Sequence, residues 1–302
     1  MTSIPAQRRS NYRQVSGVGL VFLATIAWSF SGLYTRLLTT DVMTAIAWRA
    51  FFGGGFLLLP FVARHRARSL AALSIGRPGF AMVVCIALCS ASTVGAFYFT
   101  SIANAAVIYA TAPFMAAGLA FWLVGERMQK RTTIASAVAL LGVVIIVSSA
   151  FGSGHLFGDL LAVLMTLTFA FMIVIPRAYP EVHMLPTSIV GATATLLCFA
   201  PFGHAAAMST SDWTVLAAFG FTNFTIALFL FLAGARRIAA AQAALIGTLD
   251  VVLAPLWVWI VFKERPSVAT FAGGGLILCV VVWHTVIDWQ IEARSANAGV
   301  AP

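Results

Sequence analysis

Apolar stretches of about 20 residues recur from Val15 to Val286, separated by short connectors rich in Arg, Pro and Gly such as Arg77-Pro78-Gly79 and Arg265-Pro266-Ser267. Each stretch is long enough to cross roughly 30 Å of hydrocarbon as an α-helix. The pattern predicts ten spans, at approximately 17–37, 43–63, 79–101, 104–124, 133–151, 158–177, 186–203, 213–235, 239–262 and 267–287. The expected fold is all-α and integral to the membrane, and no connector is long enough for a separate soluble domain. Arg8, Arg9 and Arg13 precede the first stretch as they would in a secretory signal. The run from Gly17 to Leu37 is too long for a signal's apolar core and no small-residue cleavage site follows, so it is expected to stay as the first helix.

Composition strengthens this reading. Of 302 residues, 61% are apolar and 9% charged, against about 25% charged in a soluble domain. The net charge of +9 does not point to nucleic acid, because the bases lie in short clusters between apolar runs and not along one solvated face. They act as topology signals. With the N-terminus inside, 14 Lys and Arg fall on the cytoplasmic side, and 3 (Arg36, Lys263 and Arg265) on the outer side. Arg49 lies within a span. Both termini are thus expected in the cytoplasm.

The chain also repeats itself. A shift of 141 residues matches Gly17 with Gly158, Arg36 with Arg177, and Pro60-Phe61 with Pro201-Phe202. A shift of 138 matches Glu126-Arg127 with Glu264-Arg265 and Ala105-Ala106 with Ala243-Ala244. One five-helix unit used twice explains these offsets, and because five is odd the two units insert in opposite directions. Such inverted repeats underlie many secondary transporters, in which a site near the bilayer midplane opens alternately to each side. The expected organisation is a cytoplasmic tail at 1–16, repeats at 17–151 and 158–287, and a second cytoplasmic tail at 288–302.

Chemical motifs narrow the class. No P-loop is present, so transport must draw on an ion or substrate gradient. Neither a His-Glu-x-x-His zinc motif nor a Gly-x-Ser-x-Gly nucleophile occurs, and the rival of an intramembrane enzyme is disfavoured. No catalytic residue, metal site or cofactor is expected. Cys85, Cys89, Cys198 and Cys279 all lie in apolar runs, where a thiol behaves as a small hydrophobe.

Two segments carry a family resemblance. Asn104-Ala-Ala-Val-Ile-Tyr-Ala-Thr-Ala-Pro113 with Phe-Trp-Leu-Val-Gly-Glu126-Arg127 resembles the first half of the drug/metabolite transporter superfamily, EamA type. Gln242-Ala-Ala-Leu-Ile-Gly-Thr-Leu-Asp250, Phe262-Lys-Glu264-Arg265 and Gly273-Gly-Gly-Leu-Ile-Leu278 resemble its second half. The resemblance implies ten helices as two inverted five-helix repeats, four helices of each around a central cavity and the fifth peripheral. It also implies a bacterial inner membrane location and a small-molecule substrate, an amino acid or similar metabolite, with protons as a candidate coupling ion. Among members the chain looks most like the YddG-type exporters of aromatic amino acids. It departs from the pattern at Val251, where the second repeat commonly has Pro; Pro255 follows one turn later, so the bend there is expected to be displaced.

Asp250, midway along the ninth span, is the most informative residue, since a carboxylate there costs about 2.5–3.5 kcal/mol on insertion scales. It can carry a proton, anchor a substrate amine, or fix helix packing. The matching position of the first repeat is Ala112, which favours a functional role. Arg49, about 9 Å into the second span, can bind a carboxylate or snorkel to the interface. Trp257 is two turns beyond Asp250 and should share its face. Tyr98, Tyr109, Asn223 and Gln242 are further polar candidates for the cavity, each open to an alternative role as an interhelical hydrogen bond. Glu126 and Glu264 suit capping or local ion pairing. Trp28, Pro113 and Pro255 are hinge candidates, equally open to being static kinks. Gly53-Gly54-Gly55 and Gly273-Gly274-Gly275 point to close helix packing.

Cysteines introduced in the loops near His155 and His204 are expected to react with an impermeant reagent from outside intact cells, and those near Arg68 and Arg131 are not. Labelling near Arg68 reverses the topology.

Overall fold

A computed structural model describes residues 6–65, 75–125, 130–149, 154–235, 237, 246–247, 249–265 and 267–297. Among these, seven helical spans are long and apolar enough to cross a membrane, and three shorter apolar helices, 133–145, 253–262 and 268–280, lie within the predicted fifth, ninth and tenth spans. No more than half of any long span is buried, and the rest of these helices is apolar too, with Leu59, Trp122 and Phe271 all more than 60% exposed. A helix apolar on every side, half of it uncovered by protein, has lipid as its solvent.

The helices are α1 (Ala6–Ser29), α2 (Ser31–Leu37), α3 (Val42–His65), α4 (Arg77–Phe99), α5 (Ile102–Tyr109), α6 (Ala112–Val124) and α7 (Lys130–Ser149) in the first half. The second half holds α8 (Leu156–Ala178), α9 (Met184–Phe199), α10 (Thr210–Gly220), a π-helical turn (Phe221–Ile226), α11 (Ala227–Ala235), α12 (Asp250–Phe262) and α13 (Val268–Asn297). The first span breaks at Phe30, between α1 and α2. The fourth breaks at Ala110 and Thr111, and Pro113 sits in the first turn of α6, where its missing N–H costs no hydrogen bond.

In the ninth span the helix resumes at Asp250, the residue 138 positions after Ala112, and Pro255 lies inside it. The expected displacement of the bend toward Pro255 is therefore corrected: both repeats begin this segment at the same place. An acidic residue in the first turn suits the positive end of the helix dipole. The two segments also end alike, at Gly125 and Lys263, both left-handed with φ of 73° and 59°. Gly adopts that conformation freely, whereas Lys263 pays a steric cost that the surrounding contacts must offset.

Packing interlocks the halves in a two-fold pattern. The third span of each half packs on the first span of the other, α4 on α8 and α11 on α1. Second packs on second (α3 on α9), fourth on fourth (α5 on α12), and fifth on fifth (α7 on α13). Glycines set the closest approaches. A Cβ on Gly142 would lie 2.9 Å from the Gly273 carbonyl oxygen, and one on Gly54 would lie 2.9 Å from Ala192 Cβ.

One end of the bundle is cross-linked by polar groups. Arg36 of α2 donates from Nε and Nη2 to Glu264 at 3.1 and 3.2 Å, and from Nη2 to the Thr100 carbonyl at 3.1 Å. This contact joins the two repeats, so Glu264 pairs across the molecule and not locally as the sequence led one to expect. Nearby, the buried Asp159 carboxylate accepts from Thr100 and Asn104, and Thr270 donates to Asn104. Asp212 accepts from the Thr39 amide and hydroxyl at 2.8 and 2.9 Å. In the loop before α3, partial burial pushes the Asp41 carboxyl up, but hydrogen bonds from the Thr44 side chain and backbone and the His204 amide outweigh it and hold Asp41 below its ordinary value.

Gly158 lies against the backbone that ends α4: a Cβ there would meet Thr100 N at 2.5 Å and Phe99 O at 2.7 Å. Gly158→Ala is expected to destabilise the protein by about 1–3 kcal/mol, read as a lower thermal midpoint in detergent. Gly55→Ala, which meets nothing within 4 Å, should change stability by less than about 0.5 kcal/mol.

Candidate functional site

A cavity of about 200 Å³ lies where the two halves meet, lined from spans one to four and six to nine and by no residue of α7 or α13. The fifth helix of each repeat is thus peripheral to it. The breaks in the helices place polar groups on its wall. Ending α1 at Ser29 frees backbone carbonyls, and the Asn223 side-chain amide donates to Ala27 O at 3.1 Å while the Trp28 indole N–H donates to Asn223 O at 3.2 Å. This reciprocal pair ties the first span to the π-turn of the eighth, and both side chains line the cavity.

Arg49 is 4% exposed, which excludes snorkelling to the interface. Its Nη2 donates to Ser90 O at 3.0 Å and to Ser90 Oγ at 2.5 Å. Its guanidinium lies 4.8 Å from the Phe219 ring centroid and 5.1 Å from that of Phe224, within cation–π range. Its Nε is buried with no hydrogen-bond partner. Asp250 lines the same cavity from α12, one turn before Ala254, and its Oδ1 is likewise buried without a partner. Among the described residues no ion pair joins either group to a counter-charge.

Tyr109 also lines the cavity, its ring 5.1 Å from that of Phe169. The remaining candidates sit elsewhere. Trp257 is not among the lining residues: its indole donates to Ser29 Oγ at 2.9 Å and stacks on Phe30 at 5.1 Å, bracing the break in the first span. A helical face is wide, and two turns of shared face did not specify which neighbour the long side chain meets. Tyr98 donates to Thr40 O at 3.0 Å beside the α2–α3 loop. Pro113 and Pro255 are not cavity-lining residues, and Gln242 and Glu126 lie outside the described residues. Sequence reasoning missed Ser90, Phe219 and Phe224, because nothing in an apolar run marks which Ser or Phe faces a buried Arg. It also passed over Met165, Met172 and Met184, which with Cys89, read as a small hydrophobe, give the cavity a polarisable, adaptable wall.

Two similar halves that pack in this two-fold pattern around a cavity fit a carrier. A family model described as the EamA-like transporter family matches residues 15–148 and again residues 153–286. The chain belongs to that family. It is a multi-pass integral membrane protein and a secondary transporter of small metabolites, not an enzyme. A chain of solved crystal structure is similar in fold at a TM-score of 0.66 and 20% identity, over 91% of this EamA-like chain and 98% of its own length. Among curated proteins, none matches this chain.

Asn223→Ala removes the tie from the π-turn to Ala27 O. The loss is expected to be about 0.5–2 kcal/mol, measured as a drop in unfolding free energy or thermal midpoint.

Proposed function

We propose that this EamA-like chain exports amino acids, aromatic ones included, across the bacterial inner membrane by alternating access, with both termini cytoplasmic. The observation that carries this reading is Asp250: a carboxylate oxygen buried without a partner, in a cavity at the junction of two inverted repeats. A buried unpaired charge is costly, and a substrate amine or a transported proton offsets that cost at one stage of the cycle. The aromatic walls from Trp28, Tyr109, Phe169 and Phe224 offer stacking surfaces to an aromatic side chain. The volume of about 200 Å³ falls below the roughly 300–1,000 Å³ of pockets for drug-sized ligands, which favours a small metabolite over a drug. The likeness to YddG-type aromatic exporters points the same way.

Asp250→Asn keeps size and hydrogen bonding while removing the charge. In proteoliposomes it is expected to leave the protein folded and inserted but to slow transport at least tenfold, about 1.4 kcal/mol or more in the limiting step. If Asp250 carries the proton, wild-type flux depends steeply on pH near neutrality; if it anchors the amine, the variant chiefly weakens apparent substrate affinity. Near wild-type flux for the Asn variant across pH 5.5 to 8 leaves Asp250 as scaffold and overturns the reading.

A further inference from the structure

The amine side of recognition leaves Arg49 unexplained. A packing arginine in a membrane bundle would be expected to use its donors on protein acceptors or a counter-ion. Arg49 instead places one nitrogen on Ser90, leaves Nε buried and unpaired, and lines the same cavity as Asp250.

Its orientation is set by an unusual piece of backbone. Phe219 and Phe224 are five residues apart, which in an α-helix turns them about 140° from one another. Phe219 lies in the last turn of α10 and Phe224 within the π-helical turn Phe221–Ile226 that follows, and the wider i to i+5 bonding there reduces the angle between the two side chains. Both rings thereby reach one guanidinium. Gly53, one turn beyond Arg49 on α3, gives Phe224 its room: a Cβ there would meet Phe224 Cγ at 2.6 Å. Ser90 holds the far nitrogen. Three side chains and a glycine therefore fix the plane of the fork, the arrangement that presents a guanidinium to a planar anion.

We infer that Arg49 is the carboxylate-reading residue of the cavity, held by the Phe219–Phe224 clamp that the π-turn creates, so that this transporter selects molecules carrying a carboxylate together with an amine and rejects amines that lack it. This rests on the proposal that amino acids are the cargo, and it adds the residue that separates them from simple amine cations. A zwitterion brings a counter-charge to Arg49 and another to Asp250 in one step. Phe224 is a positioning residue, acting through Arg49.

Purified protein in nanodiscs, titrated calorimetrically with L-phenylalanine, phenethylamine and 3-phenylpropionate, tests the inference. Wild type should bind phenylalanine at least tenfold more tightly than phenethylamine. Arg49→Gln should collapse that ratio to near one. Arg49→Lys, which keeps the charge and loses the planar fork, should retain part of it, and Phe224→Leu should shrink it about threefold or more. If Arg49→Gln does not fold, the wild-type ratio and Phe224→Leu still decide the matter. Equal binding of phenylalanine and phenethylamine by wild type, or a preference that survives Arg49→Gln, overturns the inference while leaving an amine-binding role for Asp250. Binding of none of the three probes by wild type overturns both the amino acid reading and the inference with it.

Discussion

Hydrocarbon cannot solvate a charge, and the whole molecule is arranged around that constraint. Large apolar side chains dominate the outward-facing positions of the described spans, while Arg36, Arg49, Asp159 and Asp250 are paired or turned inward. Arg36 meets Glu264, and Asp159 and Asp212 are saturated with hydrogen bonds at one end of the bundle. Against that background Arg49 and Asp250 stand out, because each keeps a buried polar atom unpaired on the wall of one cavity. Thr225 Oγ1 is also buried without a partner, but Thr225 does not line the cavity; the two charged residues that do are the ones we propose are left for the cargo.

The inverted repeat explains both the symmetry and the departures from it. Equivalent spans pack on one another, and the fourth and ninth spans break and end at equivalent residues. Asp250 has no acidic counterpart at Ala112, and Arg49 lies on the second span of the first half only. The scaffold is thus shared by both halves, while the two charges proposed to read the cargo are contributed one from each. Glu264 repeats Glu126 in sequence, yet its pairing with Arg36 ties the halves together at the end of the bundle that we propose faces the outside.

Much of the fold is legible in the sequence because lipid imposes a strong one-dimensional signal: about 20 apolar residues per crossing, punctuated by Arg, Pro and Gly. Asp250 and Arg49 were legible for the same reason, as ionisable groups where hydrocarbon forbids them. Long-range pairings were not. Arg36 and Glu264 are 228 residues apart, and no local rule predicts their meeting. Trp257 shares a helix face with Asp250 but reaches Ser29, since a long side chain chooses its partner from the neighbouring helix. The π-turn left no mark either: Phe-Thr-Asn-Phe-Thr-Ile fits an α-helix equally well.

One small molecule is proposed to bridge two opposite charges at the junction of the halves. A cryo-electron microscopy structure of the protein in nanodiscs with L-phenylalanine bound measures this directly. Ligand density is expected in the central cavity, its carboxylate within hydrogen-bond distance of the Arg49 guanidinium and its amine within hydrogen-bond distance of Asp250. Phenylalanine bound elsewhere, or Arg49 and Asp250 paired directly with each other beside the ligand, would contradict it.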